Sequence, residues 1–276
     1  MDHMTRKYTT TNFTLRKTGM AVFSALAFVA FANSAKADLV TNGGFESTVC
    51  TGAPAPAPAC TNGNGGQLPS SSTTGVVTAT GWTNTAYSFI FTPGSGDTTG
   101  AYSTEFSAPV ILWGPNSGSN NGLPATSPAG GNYLASDGDF ETGTISQTIS
   151  GLTAGQTYTV SFWWGGAQQS GFTGATSEQW TVGFGGDPTQ STIDYQNPSQ
   201  GFSGWLFQSF TFKADGTSDL LSFMAGGSPA GPPPFVLLDG VSVNLTPEPG
   251  YWIPGLALMG LLIGMAALRS KKAVKS

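Results

Sequence analysis

The sequence predicts an all-β body: two antiparallel sheets packed as a jelly-roll-like β-sandwich. Three observations predict it. Between residues 38 and 246 the apolar segments are short and alternate with polar residues, as half-buried strands do. Glycine (39 in the chain) and proline (18) are frequent, and with Ser, Thr and Asn they punctuate the gaps between those segments. Apolar residues at a helical spacing are missing from the same region. Its 209 residues suit one domain with a full core.

The candidate strands run over residues 39–46, 75–82, 110–113, 132–135, 142–149, 157–164, 179–184, 205–213, 220–224 and 235–245. Alternation is clearest at Tyr158, Val160, Phe162 and Trp164, and in the last strand at Val236, Leu238, Val241 and Val243. Residues 50–75, 92–104, 114–131 and 225–234 are low in complexity and read as surface loops. Ten strands without a fixed-period repeat fit two packed sheets.

Charge is distributed unevenly. Of ten Lys and Arg residues, five precede Asp38, four follow Leu268, and only Lys213 lies in the body. Thirteen acidic side chains from Asp38 to Asp239 leave that body near −12, against −5 for the whole chain. Such a surface repels nucleic acid, because phosphate binding needs clustered Lys and Arg. It suits neutral polysaccharide or divalent cations; acidity that simply keeps an exported protein soluble is the other reading. The one histidine, His3, lies near the N-terminus, so the body has none. Ser-His-Asp and Cys-His catalysis and histidine-based zinc sites are thereby excluded from it. No spacing places two carboxylates together for glycoside cleavage. The expectation is a non-enzyme.

The N-terminus reads as a secretory signal peptide, residues 1–37. Arg6, Lys7, Arg16 and Lys17 are basic, residues 20–31 are apolar, and Ala35-Lys36-Ala37 is a small-x-small cleavage site. An uncleaved anchor is the alternative, and the short apolar stretch favours cleavage. In an exported chain the two cysteines, Cys50 and Cys60, favour a disulfide across the proline-rich loop between them.

Residues 247–276 have three parts. Pro247-Glu248-Pro249 is held extended by its prolines. The 17 residues 252–268 carry no charge and would span about 26 Å as a helix, near the lower limit for crossing a bilayer core. Arg269, Lys271 and Lys272 then predict a cytoplasmic end. This order resembles the PEP-CTERM sorting signal of Gram-negative bacteria. The resemblance implies recognition by an exosortase-type processing protease at the tripeptide. It also implies a transient anchor in the inner membrane through the C-terminal helix, then release to the cell surface or extracellular polysaccharide matrix. Gly250 to Pro254, between motif and helix, departs from the usual pattern.

A second resemblance covers the body, residues 38–246. Leu39 to Glu46 (LVTNGGFE), the 143–162 segment and Phe235 to Val243 (FVLLDGVSV) resemble the first strand, a central ladder and turn, and the last strand of galactose-binding-like and carbohydrate-binding-module jelly rolls. In those folds the first and last strands often share a structural calcium. The resemblance implies Glu46 and Asp239 as its side-chain ligands, completed by carbonyl oxygens. The other reading makes Glu46 a surface acid and Asp239 a turn former with Gly240. Asp137-Gly138-Asp139-Phe140-Glu141 is either a second cation loop or a solvated turn. Six tryptophans invite a lectin reading, although large aromatics also dominate sandwich interiors. Trp163 and Trp164 are adjacent on one strand, so one points inward and the other is free to stack on a sugar. Gln168, Gln169, Gln179 and Asn197 offer amides that nothing in the sequence groups.

Two functional expectations result. The first is a non-enzymatic surface or matrix protein associated with exopolysaccharide. The alternative is a carbohydrate-binding, lectin-like module for a specific glycan.

Overall fold

A computed structural model describes residues 38–52 and 65–246. The expected signal peptide, Cys60, Pro247-Glu248-Pro249 and the apolar 252–268 segment lie outside the described residues. In chain order the strands are β1 (Thr48–Cys50), β2 (Gly66–Gln67), β3 (Val77–Ala79), β4 (Thr83–Asn84) and β5 (Ser88–Phe91). There follow β6 (Ala101–Ser103), β7 (Ala108–Val110), β8 (Tyr133–Asp137), β9 (Thr144–Ser150), β10 (Thr157–Gln168) and β11 (Thr176–Phe184). The last are β12 (Gln190–Ser191), β13 (Tyr195–Asn197), β14 (Leu206–Lys213), β15 (Ser218–Ser228) and β16 (Pro234–Leu245). All described pairings between strands are antiparallel.

One sheet has the order β14-β10-β16-β8-β5-β2, and the other β12-β11-β15-β9-β4 with β13 also pairing β11. They face each other across a continuous core. Tyr158, Val160, Phe162 and Trp164 of β10 and Val236, Leu238, Val241 and Val243 of β16 meet Trp180, Val182 and Phe184 of β11 and Leu221 and Phe223 of β15. The alternation that marked β10 and β16 in the sequence is thus the inward set of the first sheet. Phe162 and Phe223 touch edge to face with centroids 5.1 Å apart. Trp180 Nε1 donates to Leu237 O at 2.9 Å, tying the sheets by a buried hydrogen bond, which is worth about 1 kcal/mol net.

A second core lies on the other side of the first sheet. Phe89, Phe91, Tyr133, Ala135, Phe235 and Leu237 face away from the sandwich and are covered by Ala101, Val110, Leu112 and Leu123. Parts of 92–104 and 114–131, expected as surface loops, therefore pack with the 110–113 segment between them as a lid on the sheet. The reason is legible in the strands it covers. β16 begins as an unbroken apolar run, Pro-Phe-Val-Leu-Leu, and β5 carries Phe-Ile-Phe after Ser88, which is what burial on both faces requires.

Residues 39–46, expected as the first strand, are not a strand. Asn42 and Phe45 take positive φ (56° and 58°), and the Asn42 side chain accepts from Ser47 N and donates to Ser47 O, each at 2.9 Å. The turn chemistry of Asn-Gly-Gly overrides the apolar pattern. The segment still lies along β16 through Leu39 N to Val243 O (3.2 Å) and Val241 N to Gly43 O (3.0 Å). Likewise 75–82 contracts to β3, and 110–113 is replaced by β7, ending at Val110. β5 escaped the sequence reading because Phe89-Ile90-Phe91 is an unbroken apolar run with no alternation to detect.

Candidate functional site

The outer face of the β14-β10-β16 edge is open. Parity along β10 sends Thr159, Ser161 and Trp163 outward, while Val160, Phe162 and Trp164 go to the core. Pairing with β14 aligns Trp163 with Phe207, Ser161 with Ser209 and Thr159 with Thr211. On the other flank Ser161 pairs Ser242 and Thr159 pairs Asn244. The face thus has an aromatic end and a polar end. Trp163 and Phe207 stand 5.2 Å apart at 62°, with Phe207 58% exposed. Hydroxyls and an amide continue the surface in rows between the buried Asp239 beside Trp163 at one end and Lys213 at the other. Of the expected pair, Trp164 is only 1% exposed and belongs to the core, so it offers no face to a ligand. The aromatic beside Trp163 is Phe207, which the sequence reading missed. Its signal was an apolar side chain alone on the Phe207, Ser209, Thr211, Lys213 face of an otherwise polar alternation.

Beside this platform the ladder of β10 and β16 slips. Ser161 pairs Ser242 but Trp163 pairs Asp239, so β16 carries one extra residue there. Gly240 supplies it with φ 58°, a left-handed conformation suited to a glycine bulge. Asp239 is fully buried; its Oδ1 accepts from Gly240 N at 2.6 Å and its Oδ2 from Ser127 Oγ. Glu46 is exposed, and its Oε1 accepts from Asn132 N at 2.8 Å. A Cβ on Gly44 would lie 3.7 Å from Asp239 Oδ1 and 3.8 Å from Glu46 Oε1, so both carboxylates border one glycine. Burial pushes the Asp239 carboxyl up to about 7; the bonds from Ser127 and Gly240 pull it down and the charge of Glu46 adds to the rise. Among the described residues no three of His, Cys, Asp and Glu cluster as a metal site. A cation here would rest on these two carboxylates and neutral oxygens.

The remaining candidates have structural partners. Asp137 is buried, and its Oδ1 accepts from Asp139 N (2.9 Å) and Phe140 N (3.0 Å), while Glu141 accepts from Ser70 and Ser72. The acidic loop is a hydrogen-bonded turn. Gln168 is buried between Gly174 O (3.0 Å) and Gln200 N (2.6 Å). Trp82 and Trp180 are core residues, whereas Trp113 and Trp205 are partly exposed. Cys50 ends β1, and the residue expected to pair with it lies outside the described residues.

One buried acid was not singled out in the sequence. Glu178 of β11 is fully buried and neither carboxylate oxygen has a hydrogen-bond partner. Burial pushes its carboxyl up to about 7, against the pull of Thr176 and Asn197 beside it. Its signal was parity: it shares the inward face with Trp180, Val182 and Phe184.

No family model and no curated protein matches the chain. Among solved structures it is similar to a CBM61 module in complex with β-1,4-galactotriose, at 15% identity over 76% of this chain and 99% of that one, with a TM-score of 0.34. A CBM22-1 xylan-binding domain from Paenibacillus barcinonensis is similar at 15% identity over 58% and 94%, TM-score 0.29. The enzymatically active domain of bacteriophage CBA120 tailspike protein 4 is similar at 14% identity over 60% and 20%, TM-score 0.31. Likeness at this level carries no argument about ligand or activity.

Proposed function

We propose that the body is a non-enzymatic carbohydrate-binding module and that the outer face of β14, β10 and β16 is its glycan platform. The observation that carries this reading is the Trp163–Phe207 pair standing at the head of two uncharged rows made of hydroxyls and one amide. Aromatic faces stack on the C–H faces of a sugar ring, and flanking hydroxyl and amide groups hydrogen-bond its hydroxyls. A body near −12 favours a neutral polymer over an anionic one. Calcium held by Glu46 and Asp239 would brace the bulge beside Trp163. In this reading the chain is exported by its signal peptide, stapled by a Cys50–Cys60 disulfide and held briefly in the inner membrane by its C-terminal helix. It is then processed by an exosortase-type protease at Pro247-Glu248-Pro249 and delivered to the polysaccharide of the cell surface.

The test is a glycan array and polysaccharide pull-down with purified protein. Saturable binding to a neutral glycan, lost about tenfold (about 1.4 kcal/mol) in Trp163→Ala and in Phe207→Ala but kept in Leu220→Ala on the opposite sheet, supports the platform. Absence of glycan binding sinks it and leaves a structural component of the matrix.

A further inference from the structure

Glu178 interrupts an apolar row. Along the inward face of β11 the residues are Thr176, Glu178, Trp180, Val182 and Phe184, all buried. Asn197 of β13 pairs directly with Thr176 and is 1% exposed. Opposite, on β10, residue 166 is glycine, and any Cβ there would overlap Glu178 Oε2. The missing side chain makes room for the carboxyl between the sheets.

Four oxygens in this place have no hydrogen-bond partner: Glu178 Oε1 and Oε2, Thr176 Oγ1 and Asn197 Oδ1. Thr176 and Asn197 lie close enough to the carboxyl to pull it down against the rise from burial, although no contact among them is short and straight enough to be a full hydrogen bond. Nearby backbone donors are already engaged: Gly166 N donates to Ser203 Oγ at 2.8 Å, and Gly227 N to Gly138 O at 2.9 Å. An unpaired buried carboxylate costs several kcal/mol. A single water has two protons and would leave the charge unmatched. A buried carboxylate flanked by a hydroxyl and an amide is the kind of oxygen set that a hard cation takes.

We propose that Glu178, Thr176 and Asn197 form a calcium site between the sheets, separate from Glu46 and Asp239. Glu178 ligates through its carboxylate, Asn197 through its amide oxygen and Thr176 through its hydroxyl. Carbonyls or water complete the six to eight oxygens that calcium takes. The charge of Asp194, which acts on Glu178, adds a second negative charge against the ion.

The full chain, stripped with EDTA, is titrated with Ca2+ and with Tb3+, counting bound ions and reading terbium emission excited through Trp180, the next residue on the same face. Glu178→Gln should bind one ion fewer per chain than wild type and lose that part of the emission. The loss should also occur in an Asp239→Asn background, which separates this site from the bulge. Asn197→Asp adds a ligand charge and should tighten calcium binding about tenfold or more. Equal stoichiometry in wild type and Glu178→Gln overturns the proposal. If Glu178→Gln fails to fold, Asn197→Asp decides. A protein destabilised by that substitution, with no gain in calcium affinity, means that the carboxyl is simply a buried acid.

Discussion

Trp163 on β10 stands opposite Asp239 on β16, at the point where the ladder between the two strands slips by one residue. The slip turns a buried carboxylate toward Glu46 and leaves an indole on the open face. One backbone irregularity therefore positions both the proposed platform and the proposed cation ligands.

Gly240 is the residue on which that arrangement depends. Its φ is 58°, and a Cβ there would lie 2.8 Å from Ala129 Cβ and 3.2 Å from Trp163 Cδ1. Gly240→Ala should cost about 1–3 kcal/mol, read as a lower midpoint in urea. It should also weaken glycan binding, because the indole must shift. An unchanged midpoint would show that the bulge relaxes freely.

Adjacent tryptophans should behave in opposite ways. Trp164→Ala empties a site in the sandwich core and should cost about 3–5 kcal/mol. Trp163→Ala should leave the melting temperature within a few degrees of wild type. Thermal melts of the two variants check this directly, and equal destabilisation would contradict the inward and outward assignment.

Calcium held by Glu46 and Asp239 would stabilise the folded state by mass action, about 2.7 kcal/mol at a hundredfold excess over Kd. Adding calcium to EDTA-treated protein should raise the melting temperature by about 5–10 °C. Asp239→Asn should reduce that rise. A calcium response identical in the variant would remove Asp239 from the ligand set.

Asp137 should make stability depend on pH. Burial lifts its carboxyl from 3.8 to about 6, against the pull of the Phe140 and Asp139 amides. The folded state then holds the proton more tightly than the unfolded state. Its contribution is full below about 4 and is lost as the pH rises through about 6. Asp137→Asn keeps an oxygen for the two amides and removes the titration. Relative to wild type, the variant should gain up to about 2–3 kcal/mol between pH 4 and pH 7. Denaturant melts at the two pH values measure it, and parallel curves would refute it.

The sequence by itself determined the all-β class and placed the long strands β9 to β11 and β14 to β16 to within a few residues, apart from the far ends of β10 and β15. Period-two alternation is local, so Trp163 and Trp164 had to point to opposite faces wherever the strand lay. Composition likewise determined the acidic, histidine-free character of the body. The pairings were decided only by the tertiary structure. Phe207 reaches Trp163 because β14 became the edge neighbour of β10 in one register. Asp239 turns toward Glu46 because a glycine bulge inserted one residue. Glu178 lies against Gly166 because the two sheets closed with β11 over β10. The expected loops 92–104 and 114–131 became part of a lid because the first sheet buries its other face too. Each of these depends on which distant segments become neighbours, and a one-residue change of register would send every side chain to the opposite face.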